Sequence, residues 1–589
     1  MAATSATVAG ARTARVASAN DPFSPDAPAP LAQAPYPTAA AAPSEMTTAE
    51  RRLVLGNLWV AILAFGAAAV MAVMQAMSRA NIDVPNHTPR MYYMSITAHG
   101  VLMALVFTTF FIMGWGYAIV HREAGRIRWM GLSTAAFWLA VIGTLMAAVP
   151  ILLFKASVLY TFYPPLQAHP AFYIGLTLVV VASWAWAANV IATWWSLRRT
   201  DPTRPVSLAM HATTANAMLW LLCTLGVAAE MLFQLIPWSL GITQTVDPLL
   251  ARTLFWFTGH PLVYFWILPA YSVWYSVLPR ESGGYLFSEP LGRMVFAYFL
   301  VISTPVGLHH QFQDPGIPAS WKLFHTFLTM AISFPSLVTA FTICASLEVA
   351  GRLRGGGGLF GWIRTLPWGN PVVSCVLYAM LLFLVGGFGG AVNAAYALNS
   401  VVHNTAWIHG HFHTTVGSAA ALTYMGAMYW LVPRMTGREL SFRTSLARWQ
   451  PLLWFVGMIL FAIPSHLSGL MGLPRRVFST EYGGAPQAAQ WHGLTLASAL
   501  GGIVLFVSAM FFVAVMAHTL LRGRRATAVA PLVWADSLGM PAGGFRTTIW
   551  DRLGLWWAIA GVLVLVAYAI PLWDILHLTR YGSPGYKPF

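Results

Sequence analysis

The chain returns repeatedly to apolar runs of about 20 residues, each long enough to cross the ~30 Å hydrocarbon core of a bilayer as one helix. They lie near 53–77, 92–120, 129–154, 168–197, 207–236, 250–279, 290–308, 320–350, 370–396, 402–432, 450–472, 489–521 and 550–577. Only 9% of the residues are charged and 58% are apolar, whereas soluble domains carry about a quarter charged residues. Lipid is therefore the solvent, and a backbone in lipid must satisfy its own N–H and C=O groups. Strand alternation does not recur, so helices are the remaining solution. The sequence predicts an all-α integral membrane protein of about thirteen transmembrane helices, one domain over residues 51–589.

Residues 1–50 are rich in Ala, Pro, Ser and Thr and contain no continuous apolar core. That composition predicts a disordered cytoplasmic tail rather than a cleaved signal peptide. The formal charge of +15 comes from arginines in short loops, with no basic helix or patch, so no nucleic-acid partner is expected. The loops on one side hold Arg122, Arg126, Arg128, Arg198, Arg199, Arg204, Arg352, Arg354, Arg434 and Arg438 among others, far more than the opposite side. By the positive-inside rule the N-terminus is cytoplasmic and, with an odd number of spans, the C-terminus lies outside the cell membrane. Cys223, Cys344 and Cys375 stand singly in apolar segments and suggest neither a disulfide framework nor a thiolate metal site.

Histidine is costly in hydrocarbon, yet it clusters at the apolar centre of this chain. His260 and Tyr264 are four apart on the sixth span and so share one helical face, a turn apart. A lone His260 would read as a hydrogen-bonded core residue. The doubled His309-His310 in the same half of the membrane reverses that preference, because three imidazoles make a ligand set for copper with an open position. His411 and His413 lie two apart on the tenth span, so they diverge by about 200° and can serve two haems, one on each side. His99, on the second span, offers a second axial ligand for one of them, and Gly100 beside it would let a flat macrocycle approach. Iron with two histidines is saturated and suits electron transfer, whereas iron with one keeps a face open for a gas.

The segments Trp256-Phe257-Thr258-Gly259-His260-Pro261-Leu262-Val263-Tyr264-Phe265-Trp266, His309-His310 and His403-Asn404-Thr405-Ala406-Trp407-Ile408-His409-Gly410-His411-Phe412-His413 resemble subunit I of the haem–copper terminal oxidases. The nearest match is the B-type branch of cytochrome c oxidases, over essentially the whole chain after residue 50. The resemblance implies His260, His309 and His310 on copper B, and His411 on a high-spin a-type haem. It also implies His99 and His413 on a low-spin haem b, and a covalent His260–Tyr264 link. The implied activity is reduction of dioxygen to water coupled to proton translocation. Electrons would come from cytochrome c through a subunit II with a dinuclear copper centre, for which this chain has no cysteine cluster. Cleaving dioxygen without releasing peroxide takes four electrons, and a neutral tyrosine such as Tyr264 can supply the last with a proton. Nitric oxide reductases of the same superfamily lack that tyrosine and use an acidic site, whereas Leu262 and Val263 bring no carboxylate here. A secondary transporter would instead predict repeated halves and broken helices.

Protons need hydroxyl groups to cross an apolar bundle. Tyr264, Tyr271 and Tyr275 form one stripe running inward from the copper ligands, and Ser336 and Thr339 on the eighth span can face it. Aromatic stripes are usually packing. Continuation from His260 and similarity to the B-type proton path favour a relay. On the outer side Arg475-Arg476, with His403 and Asn404, are the expected contacts of haem propionates. Asn399 stands where the family pattern has an aspartate. Arg252 and Asp314 are expected to pair structurally, His409 has no expected ligand role, and His211, His325, His466 and His518 read as structural or surface residues. Glu230, an acid inside the fifth span, is either functional or held by a structural hydrogen bond.

Overall fold

A computed structural model describes residues 45–84, 88–440, 446–541 and 544–588; the stretch 1–44, most of the expected tail, lies outside them. Among the described residues, ten helices are long and apolar enough to cross a membrane. They are α1 (Thr48–Arg79), α2 (Pro89–Ala124), α3 (Met130–Leu152), α4 (Pro170–Thr200), α5 (Leu208–Ser239), α9 (Ala319–Leu353), α10 (Pro371–Ala394), α13 (Leu446–Leu470), α14 (His492–Arg522) and α15 (Leu553–His577). The three other expected spans are built from shorter helices: α6 (Pro248–Gly259) and α7 (Pro261–Ser276), α8 (Glu289–Ile302), and α11 (Trp407–Thr414) with α12 (Ala421–Thr436). His260 lies between α6 and α7, His309-His310 lie on a turn after α8, and His411 and His413 lie on α11.

Helix starts follow capping chemistry. Thr47 and Glu50 form a capping box at α1, and the side chains of Thr88, Ser207, Asp247, Ser288 and Asn370 accept first-turn N–H groups of α2, α5, α6, α8 and α10. Proline stands at the first helical position of α2, α4, α6, α7 and α10, where its missing N–H costs nothing. A single large core of aliphatic and aromatic side chains runs through the bundle. A smaller separate core, Phe257, Leu308, Ile317, Val564, Ala567, Tyr568 and Ile575, lies between α6, the segment after α8, and α15.

The buried Arg293 of α8 donates to Asp551, just before α15, at 2.7 Å, and also to Glu289 and the Val206 carbonyl. A buried guanidinium is tolerable only when its donors are paired in this way, and the pairing ties α8 to the start of α15. The two-residue strands Thr245–Val246 and Ser583–Pro584 pair antiparallel.

Candidate metal centre

The helical ladder breaks where the first ligand stands. α6 ends at Gly259 and α7 begins at Pro261, which has no N–H to give. His260 keeps α backbone angles there, so Tyr264 follows one turn later and its hydroxyl lies 2.7 Å from His260 Nε2. That leaves His260 Nδ1, 3.0 Å from His310 Nε2. His309 and His310 sit on a 3₁₀ turn, Gly307–Gln311, beyond α8. His309 donates from Nδ1 to the Val306 carbonyl at 2.5 Å, with Thr329 Oγ1 at 3.0 Å, so its Nε2 is left over. The His310 ring stacks on Trp256 with centroids 3.8 Å apart.

One nitrogen from each of the three rings lies within 4.8 Å of the others. Two metal–nitrogen bonds of ~2.0 Å at roughly a right angle separate their nitrogens by ~2.8 Å, close to the observed 3.0 Å. Geometry and donor type both fit one copper ion held by neutral imidazoles.

The other histidines repeat one device. His411 donates from Nδ1 to the Gly386 carbonyl of α10 (3.1 Å), His413 to the His409 carbonyl (2.8 Å), and His99 to the Ala68 carbonyl of α1 (3.0 Å). Each backbone carbonyl fixes the tautomer and leaves Nε2 as the ligand atom. The His99 and His413 rings are parallel within 4° with centroids 6.3 Å apart, beyond stacking contact. A metal bonded to one nitrogen of each ring at ~2.0 Å, with ~1.1 Å from nitrogen to ring centre, requires ~6.2 Å. The pair therefore fits a bis-histidine iron.

Glycines admit His411 against its neighbour: a Cβ on Gly389 would sit 3.0 Å from His411 Nδ1. The Gly386-Gly387-Phe388-Gly389-Gly390 stretch was a legible signal of that close approach. Gly100 is different. A Cβ there would meet the Tyr160 side chain at 2.8 Å, so its bareness admits a tyrosine.

At one end of the bundle two loops are stitched together. Arg475 N–H donates to Asn404 O (2.9 Å), Ala406 N–H to Leu473 O (2.8 Å), and Thr405 pairs with Pro474. This brings Arg475 and Arg476 beside His403 and Asn404, as expected. Arg79, which sequence reasoning passed over, donates to His409 Nδ1 at 2.7 Å. Arg475 Nε, Arg476 Nη2 and Arg79 Nε are buried without hydrogen-bond partners, and no carboxylate pairs with any of the three among the described residues. Burial and the neighbouring Arg476 push the Arg475 guanidinium down to about 10, so it is still cationic at neutral pH. Unpaired buried guanidiniums fit the carboxylates of haem propionates. Asn399 donates to Asn393 O at 2.8 Å, and Arg252 pairs with Asp314 at 3.0 Å.

Further along α7 Tyr271 hydrogen-bonds Ser336, and Tyr275 Oη donates to Thr339 Oγ1 at 3.1 Å. Tyr275 also reaches Thr342, one turn further along α9 and not anticipated from sequence. No hydrogen bond joins Tyr264 to Tyr271 among the described residues. Glu230 is fully buried just before a π-turn, Met231–Leu235, and neither carboxylate oxygen has a partner among the described residues.

Residues 52–504 match the family described as cytochrome c and quinol oxidase polypeptide I. Subunit 1 of the cytochrome c oxidase of Thermus thermophilus is 42% identical over 91% of this chain and 97% of its own length. The corresponding subunit of a Synechocystis species is 27% identical over 74% of this chain and 78% of its own. A solved haem–copper terminal oxidase dimer superposes with a TM-score of 0.88 at 36% identity, covering 92% of this chain and 96% of that one. Sequence, fold and converging imidazoles agree: the chain belongs to the cytochrome c and quinol oxidase polypeptide I family, the subunit I family of the haem–copper terminal oxidases.

Proposed function

We propose that this chain is the catalytic subunit of a B-type cytochrome c oxidase, reducing dioxygen to water and coupling the reaction to proton translocation. The observation that carries this reading is Tyr264 Oη at 2.7 Å from His260 Nε2, within a cluster of three imidazoles able to grip one copper. His260, His309 and His310 would hold copper B, His411 the iron of a high-spin a-type haem, and His99 with His413 the iron of a low-spin haem b. When bound, these groups supply single-electron relay and three of the four electrons that dioxygen requires.

The protein's own residues do the rest. Tyr264, held against His260, gives the remaining electron together with its hydroxyl proton. Reprotonation follows the inward stripe, from Thr342 and Thr339 through Tyr275, then Ser336 and Tyr271. Because Tyr271 and Tyr264 share no hydrogen bond, the last transfer needs a water or a tyrosine movement. Leu262 and Val263 bring no carboxylate to the copper ligands, so a single input path is the reading. Arg475 and Arg476, with His403 and Asn404, hold the propionates and offset their charge. Electrons enter from cytochrome c by way of a subunit II with a dinuclear copper centre. Residues 51–589 form the catalytic membrane domain, with the N-terminal tail in the cytoplasm and the C-terminus outside.

Nitric oxide reduction is the second reading, and Tyr264 argues against it. Purified protein with its partner subunit should give a reduced-minus-oxidised spectrum containing two haems and consume dioxygen far faster than nitric oxide. The opposite ratio would reverse the assignment.

A further inference from the structure

The two histidines of the 3₁₀ turn need an explanation that α8 cannot give. Regular helix stops at Ile302, yet the turn must hold two rings in register with His260. Its backbone is pinned from behind by two side chains. Gly307 N–H donates to Tyr568 Oη of α15 at 2.9 Å, and a Cβ on Gly307 would collide with that oxygen and with the Trp256 carbonyl. Leu308 N–H donates to His325 Nδ1 at 3.3 Å, and His325 donates from Nε2 to the Ala567 carbonyl of α15 at 3.1 Å. That carbonyl is available because its helical donor would be the N–H of residue 571, which is Pro571. Both His325 nitrogens are thus engaged, its ring meets Tyr568 edge-on at 5.0 Å, and both belong with α15 to the wall around the small core that buries Leu308. Thr329, one turn after His325, supplies the contact to His309 Nδ1.

We propose that α15, which lies beyond residues 52–504, is the positioning element of the copper-ligand turn, acting through Tyr568 and through a His325 bridge to Ala567. The proposal rests on His309 and His310 being copper ligands. His325 is then a positioning residue and not the plain structural histidine expected from sequence. Neither Tyr568 nor His325 touches the metal. They fix the amides of residues 307 and 308, and those fix where the next two rings point.

Three variants test it in the assembled oxidase: Tyr568→Phe, His325→Leu and Pro571→Ala. The last returns an N–H to Ala567 O, which competes with His325 while strengthening the helix. The readouts are copper per haem and the infrared stretch of carbon monoxide photolysed from haem onto copper, with the low-spin haem spectrum as the fold control. Copper affinity should fall by ~10-fold or more in Tyr568→Phe and His325→Leu. The carbon monoxide band should shift or broaden in all three, the low-spin haem should be unchanged, and His325→Gln should restore the band. If His325→Leu does not assemble, Tyr568→Phe and Pro571→Ala, which nearly preserve the packing, decide the matter. An unaltered band at full copper in those two overturns the proposal, as does a change of equal size at the low-spin haem. Wild-type protein that binds no copper would instead overturn the reading of the site itself.

Discussion

α14 runs 31 residues without a break, whereas the helices on either side of His260 reach only 12 and 16 residues and the one bearing His411 and His413 only 8. The difference separates two uses of backbone in lipid. Unbroken helices satisfy most peptide groups internally and chiefly supply walls, so most of their positions need only be apolar. Interrupted helices release peptide groups, which is tolerable only where protein surrounds them. Here the released groups are put to use: the Val306 carbonyl, outside regular helix, accepts from His309 Nδ1. Five of the six proposed metal ligands sit at or beside the interruptions, where side chains can converge from several directions, and only His99 comes from a long continuous helix, α2.

The comparison can be tested by changing one residue of each kind. The largest effect should come from His310→Ala at an interruption: copper lost by metal analysis, and oxygen consumption reduced by more than the ~10–100-fold typical of losing a group that only orients a ligand. Tyr264→Phe, one turn past the break at Pro261, should keep copper and both haem spectra while steady-state turnover falls by about 10²-fold. Unchanged turnover there would remove the tyrosine from the chemistry. Thr339→Val, on the long α9, removes only one of the two hydroxyl partners of Tyr275 and should slow turnover by about tenfold or less, since one hydrogen bond is at stake. Leu565→Ala, on a well-exposed face of α15, should be nearly silent, within ~0.5 kcal/mol in thermal unfolding and with normal activity.

How much of this was readable in advance follows the same division. The unbroken helices were legible because length and apolarity alone define them, and their starts agree with Ser, Thr, Asp, Asn and Pro signals in the chain. The His260–Tyr264 contact was legible because spacing by four fixes a shared face. The Tyr160 contact of Gly100 was not legible, because a glycine states that something approaches without saying what. The contacts of His325, Arg79 and Tyr568 were not legible for a different reason. Their partners lie 17 to 330 residues away, at Leu308, Ala567, His409 and Gly307. No local period records such pairings, since they form only when loops and helix ends fold back on one another.

The backbone carbonyls that hold Nδ1 of His99, His309, His411 and His413 have a consequence for speed. A ring so tethered cannot swivel when the metal it serves gains or loses charge, and its dipole is already oriented for both oxidation states. With the proposed metals bound, rings fixed in this way would let each electron pass with little nuclear rearrangement.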